Sequence, residues 1–268
     1  MNSQLVFGAY IPLASPLHRL DARAKLLMCV WYVIAVFFAY TWWTTGWLFL
    51  ALLAAIYLSR IPVKMYWRGI RPFVWVIIIT AAFQVLFSSG GQTYWHWGWM
   101  SITSDGLVNS LILIYRFIVI ITASTVLTAT TPTLQLAQAF SSLLTPLKYI
   151  HIPVDKMALM LSIALRFVPT IMTEMHQIID AQKMRGMHFN QGGLLARLHH
   201  VLPIFIPLFV DSFQHSEELA VAMEARGYVA GAPRTQFRQL RWKGHDTIAM
   251  VLMVALTVGL VLLRTYLS

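Results

Sequence analysis

Two stretches of the chain end on the same dipeptide. Ala181-Gln-Lys-Met-Arg185-Gly186 and Ala222-Met-Glu-Ala-Arg226-Gly227 lie 41 residues apart. Arginine followed by glycine suits the end of a helix. Glycine enters the left-handed conformation that closes many helices without a Cβ penalty. The guanidinium then sits at the negative end of the helix dipole, a gain of about 0.3–1 kcal/mol. The same planar fork of donors can grip a carboxylate on another protein bidentately. One such end is ordinary capping; two, each closing a long helix, point beyond capping to contact with a partner.

Other chemistries fail on spacing. The nine histidines include no HExxH and no i,i+4 pair, and the adjacent His199 and His200 point about 100° apart on a helix. No metal site is expected. No GxSxG and no Gly-Lys-Ser/Thr phosphate loop occurs, so neither a serine hydrolase nor an ATPase is expected within this chain. The single cysteine, Cys29, sits in an apolar run and excludes an internal disulfide. Arg116 falls near the middle of an apolar segment, where a charge is costly and usually functional. A tie between helices and a contact with another subunit are both open for it. Trp31 and Trp75 read as anchors or packing rather than ligand contacts.

The elements that must carry the two arginine ends are set by composition. Of 268 residues, 58% are hydrophobic and 11% charged, which exceeds what one soluble core of this length can hide. The expected fold class is an all-α polytopic membrane protein. About five transmembrane helices and a cytoplasmic module of three helices are expected, two of the three being long. Leu26–Ser59 is broken at Thr41–Gly46 by a polar, tryptophan-flanked turn into two short spans. A third span covers about Ile70–Phe87 and a fourth about Leu107–Thr128, separated by a Gly/Ser/Trp-rich loop at Ser88–Ser104. A fifth runs from His245 to about Leu267. The start, Met1–Pro16, lacks the pattern of a cleaved signal, so the first span is expected to be retained.

Charge gives the orientation. With the N-terminus cytoplasmic, 18 of the 20 lysines and arginines fall in inside segments, eleven of them between Lys148 and Lys243. The positive-inside rule therefore places the N-terminus inside and the C-terminus outside, and it assigns the net charge of +10 to topology rather than to nucleic acid. Expected domains are residues 1–128 with spans one to four, 129–243 as the cytoplasmic module, and 244–268 as the last span. Met157–Met172 and Val201–Phe213 are apolar, but contain Arg166 and Pro169, and Pro203 and Pro207. As spans they would also put Lys183, Arg185 and Arg197 outside. They read as parts of long helices packed on each other and on a partner.

Within the module the first helix is expected to start with Thr131 as N-cap and Pro132 at its first position. Its residues Leu136, Phe140, Leu143 and Leu147 make one apolar stripe. The second runs from about Pro153 to Arg185, kinked at Pro169; the third from near Gly193 to Arg226, bent at Pro203 and Pro207.

Three stretches together resemble a known family: Ser15-Pro-Leu-His-Arg-Leu-Asp-Ala-Arg-Ala-Lys25, Ala-Gln-Lys-Met-Arg-Gly and Met-Glu-Ala-Arg-Gly-Tyr. They are similar to those of the transmembrane T component of energy-coupling factor transporters, prokaryotic ATP-driven importers of vitamins and metal ions. Ala22 stands where that family usually has proline, and Met184 where it has alanine. The resemblance implies a non-catalytic coupling subunit without cofactor, in the multi-pass cell membrane of a prokaryote. Its partners would be two ATP-binding cassette ATPases and a small substrate-binding membrane protein, the S component. Arg185, Arg226, Gly186, Gly227, Met184 and Ala225 would engage the ATPases, and Leu136, Phe140, Leu143 and Leu147 are a candidate surface for the S component. The stripe's packing against the other two module helices is an equal reading. Two rivals stand beside this one. Asp180-Ala-Gln-x-x-x-Gly186 faintly echoes the docking loop of a conventional importer's permease, and an intramembrane enzyme is the more distant reading.

Overall fold

The protein is described from a computed structural model covering residues 15–39, 41–88, 90–97, 100–150, 153–187, 194–229 and 242–267. Its contacts divide the chain into two units, Met1–Leu143 with Leu240–Ser268, and Leu144–Gln239.

In the first unit, Asp21 caps α1 (Ala22–Phe37), its carboxylate accepting the Arg23 N–H. The predicted break at Thr41–Gly46 is shorter than expected: α2 (Trp42–Ser59) begins at once. Thr41 donates its N–H to Thr44 Oγ1 at 3.1 Å, while the Thr44 and Thr45 hydroxyls donate back to the Thr41 carbonyl. These hydroxyls turn a polar run into a helix start. The third span starts earlier than its apolar run, because the basic α3 (Val63–Ile70) leads through a 3-10 turn at Arg71–Phe73 into α4 (Val74–Phe87).

The predicted loop at Ser88–Ser104 contains an antiparallel hairpin, β1 (Thr93–Trp97) with β2 (Met100–Thr103). Its threonine, tyrosine, tryptophan and isoleucine residues suit a pleated surface. Thr103 then caps α5 (Ser104–Thr130) through the Gly106 N–H. At 27 residues, α5 spans about 40 Å, enough for a bilayer with tilt. Thr131 is the extended residue ending α5 rather than the cap of the next helix. The Pro132 carbonyl takes the first N–H groups, from Gln135 and Leu136, and α6 is Thr133–Leu143. α9 (Gly244–Leu267) completes the unit.

The core of this unit is small and tied by polar groups. Val36, Leu48 and Val119 are essentially inaccessible and pack with Tyr32, Leu52 and Leu260 from α1, α2, α5 and α9. The Tyr32 and Tyr115 hydroxyls donate to the carbonyls of Leu48 and Thr45, both at 2.8 Å. Trp47 Nε1 donates to Leu256 at 3.2 Å, and Gly259 lets the indole lie flush against α9, since a Cβ there would fall 3.3 Å from the ring. Around this core, Trp43, Trp75, Phe83, Leu50, Val251 and Leu252 are all more than half exposed. Large apolar side chains in such number facing outward fit lipid rather than water.

Among the described residues, five helical segments are long and apolar enough to cross a bilayer: Trp42–Ser59, Val63–Phe87, Ser104–Thr130, Lys156–Met184 and Gly244–Tyr266. Four match the expected spans. The fifth differs. α1 has 16 residues, about 24 Å, and falls short of the roughly 30 Å hydrocarbon core. The fifth segment by length and composition is Lys156–Met184, in the other unit.

In the second unit, a 3-10 segment at Thr145–Ile150 precedes α7 (Val154–Met184) and α8 (Leu194–Ala225). Pro169 lies inside α7, and Pro203 and Pro207 inside α8, with both helices continuous through them. The contacts place α6 in the first unit, where it packs on α1.

Candidate functional site

Both long helices end in the same way. After α7, the Gly186 N–H donates to the Lys183 carbonyl at 3.0 Å and the Met187 N–H to Gln182 at 3.1 Å. After α8, Gly227 donates to Glu224 at 2.9 Å and Tyr228 to Met223 at 3.0 Å. Each pair of reversed bonds is a Schellman motif, which satisfies carbonyls that the helix leaves open. It demands a left-handed residue. Gly186 supplies φ +84° and Gly227 φ +74°. A Cβ at either glycine would meet nothing within 4 Å, so backbone conformation, and not space, calls for glycine.

The motif places Arg185 and Arg226 at the last turn of each helix, both exposed. Gly186, Gly227 and Ala225 are exposed as well, and Met184 is 90% exposed. The neighbouring Lys183–Asp180 pair, at 3.0 Å, is more than half open to solvent on both sides and contributes about 0–1 kcal/mol. Chemically, each tip is a solvated guanidinium on a fixed stem beside an unfilled apolar methionine or alanine. That arrangement can grip a carboxylate and bury a small apolar patch.

α7 and α8 are held to each other through His215. Its Nε2 lies 3.5 Å from Glu174 Oε1, and its ring meets Phe167 edge-on at 6.1 Å. The Asp211 carbonyl accepting from Nδ1, aided by the Glu174, Glu218 and Asp211 carboxylates, pushes the His215 pKa up against a smaller desolvation effect.

The other predicted residues lie elsewhere. Leu136 and Leu143 are half-buried on α6 and Phe140 is 51% exposed. Leu147 falls in the 3-10 segment beyond the helix, and its side chain lies outside the described residues. The proposed stripe is therefore not continuous on one helix: Pro146 cannot donate an N–H, and α6 stops at Leu143. Arg116 donates through Nη2 to the Ala39 carbonyl at 3.4 Å and lies 5.2 Å over the Phe37 ring. Both contacts are with the end of α1, as a tie between helices requires.

The apolar run Val201–Phe213, expected to pack on α7 and on a partner, keeps one open face. On α8, Leu202, Phe205, Ile206, Phe209 and Phe213 are each more than half exposed. Their spacing of 3, 1, 3 and 4 puts them on one face.

Fold and tips together define the class: an all-α polytopic membrane protein presenting two arginine-bearing helix ends. The model of the CbiQ family, described as cobalt transport protein, matches residues 14–237. Over 258 residues the chain is 53% identical to the energy-coupling factor transporter transmembrane protein EcfT of Limosilactobacillus fermentum, covering 96% of this chain and 97% of that one. It is 47% identical over 261 residues to the EcfT protein of Lacticaseibacillus paracasei, covering 97% and 99%. The chain belongs to this family, the transmembrane proteins of energy-coupling factor transporters.

Proposed function

We propose that the chain is the non-catalytic coupling subunit of an ATP-driven importer, in the cell membrane of a prokaryote with its N-terminus cytoplasmic and its C-terminus outside. The observation that carries this reading is the pair of matching Schellman ends, each with an exposed arginine. Arg185 and Arg226 each dock on one ATPase subunit, with Met184, Gly186, Ala225 and Gly227 shaping the tips. Closure of the ATPase pair on ATP moves one tip relative to the other. α7 and α8, at about 46 and 48 Å, carry that displacement as levers on the cytoplasmic side.

The exposed face of α8, from Leu202 to Phe213, is the larger apolar surface for the substrate-binding membrane partner, with Phe140 on α6 as a smaller addition. Uncovered, that face is a poor end state for a helix in water. In this reading α1 crosses as a short span, giving five crossings and termini on opposite sides, and α7 lies on the cytoplasmic side although it is apolar enough to span. Spanning would carry Arg166 and Glu174 through the bilayer and leave the Lys183–Asp180 pair and Arg185 outside.

The test is the double substitution Arg185→Glu with Arg226→Glu. It removes both forks and places acidic groups at the negative ends of two helices. ATP-dependent uptake of the labelled vitamin or metal ion held by the co-purified substrate-binding subunit is expected to vanish, while the chain still inserts. Uptake at the wild-type rate, with the ATPases still co-purifying, overturns the reading.

A further inference from the structure

The helix tips leave one stretch unexplained, Ser15-Pro-Leu-His-Arg-Leu-Asp-Ala-Arg-Ala-Lys25, and this stretch builds a buried polar cluster within the first unit. Asp246, in the first turn of α9, is fully buried. Its two carboxylate oxygens each take a backbone N–H. Oδ1 accepts from Asp21 at 2.8 Å and Oδ2 from Lys243 at 2.7 Å. Lys25 is 6% exposed, and its ammonium donates to the Thr130 carbonyl at 3.0 Å and the His18 carbonyl at 3.4 Å. Thr130 ends α5, so its carbonyl belongs to those the helix itself cannot satisfy. Ser15 and His18 close the preceding turn with a 2.7 Å bond.

Burying two carboxylates and an ammonium is a costly way to fill a core, and well-packed apolar residues would do that better. What the cluster supplies is direction. Its bonds converge on two places in the chain. Thr130 precedes α6, which leads into the unit Leu144–Gln239, and Lys243–Asp246 receive the chain again after that unit. One short N-terminal stretch thus holds the end of α5, one helix before that unit, and the start of α9 after it.

We infer that Asp246, Lys25 and the backbone of Asp21 form the stationary anchor of the coupling device, positioning residues that fix the end of α5 and the start of α9, on either side of the lever unit in the chain, so that displacement of the tips reaches the membrane partner. The inference rests on the coupling-subunit reading. Without the anchor, motion driven by the ATPases is absorbed where the levers meet the body. ATP is then hydrolysed without transport.

The test uses the complete transporter in liposomes, with ATP hydrolysis and substrate uptake measured on one preparation. Asp246→Asn keeps the volume and one acceptor oxygen but sets an amide N–H₂ against a backbone N–H. Lys25→Met keeps the stem and removes the donor. Each is expected to lower uptake per ATP hydrolysed about tenfold, the loss of a charge-assisted bond, while the ATPases stay bound and active. Arg19→Gln, at an exposed position of the same stretch, leaves that ratio unchanged. If uptake and hydrolysis instead fall together with the yield of assembled complex, or neither changes, the anchor is overturned in favour of a plain folding role. Should Asp246→Asn fail to insert, Lys25→Met decides by the same ratio; failure of both to assemble also overturns the inference. Absence of ATP-dependent uptake in the wild-type complex would sink the coupling reading itself, a separate outcome.

Discussion

The two units of this molecule handle apolar surface in opposite ways. The membrane body collects Val36, Leu48, Val119 and their neighbours into a core from four helices, and it ties the helices with buried hydroxyls and a buried carboxylate. Among the described residues of Leu144–Gln239, Val154 alone is buried. α7 and α8 meet along one side, through Phe167, Glu174 and His215, and turn the rest outward. The body is complete as a packing problem once lipid surrounds it. The levers are not, and their open faces end in charged, well-capped tips. On the proposed function, the open faces of α7 and α8 are completed by partner proteins, as a transmitting element between two partners requires.

The largest effect that can break this contrast concerns which side of the membrane the levers occupy. Met184 is 90% exposed beside the α7 tip. Met184→Cys in a Cys29→Ser background is expected to react with a membrane-impermeant thiol reagent in inside-out vesicles and not in intact cells. Labelling from outside would make α7 a true span, as its length permits, and would merge the lever with the body.

Next in size is the response of each region to truncation. Leu48 is inaccessible, so Leu48→Ala leaves a cavity. Lipid is as apolar as the core, so the transfer term is small and the void dominates, about 2 kcal/mol of lost stability. Phe209 is 64% exposed, and Phe209→Ala removes a surface ring at a cost within about 0.5 kcal/mol. Thermal unfolding of the isolated chain in detergent separates the two, and binding of the substrate-binding subunit should reverse their order. Equal destabilisation by both would mean that the face of α8 already packs within the chain.

Much of the comparison was legible in the sequence because its signals are local. Arg-Gly announces a helix end wherever it occurs, and a run such as Val74–Phe87 announces a span. Signals that depend on pairing were not. The hairpin at Thr93–Thr103 reads as a tryptophan-rich loop until Trp97 is seen opposite Met100. The bond from Asp21 to Asp246 joins residues 225 apart in sequence, and no spacing rule reaches that far. The boundary of α6 slipped because Thr131-Pro132 is a sound start signal, yet the extended Thr131 was already spent ending α5.

The smallest effect separates conformation from contact at the tips. Gly186 and Gly227 hold positive φ with open space where a side chain would point. Alanine at either position meets no atom, so its whole cost is the left-handed backbone, about 1–2 kcal/mol. Asparagine, larger but tolerant of that conformation, should cost less. The reporter is amide exchange at Met187 and Tyr228, whose N–H groups make the longer of the two Schellman bonds. Gly186→Ala should speed exchange at Met187 about tenfold, the equivalent of roughly 1.4 kcal/mol, and Gly186→Asn less. The order of the two variants carries the decision. If asparagine disturbs the tip more than alanine in the isolated chain, space and not φ selects glycine there. The tip would then already be in contact with another part of the protein, and the contrast between a packed body and open levers would fail at its far end.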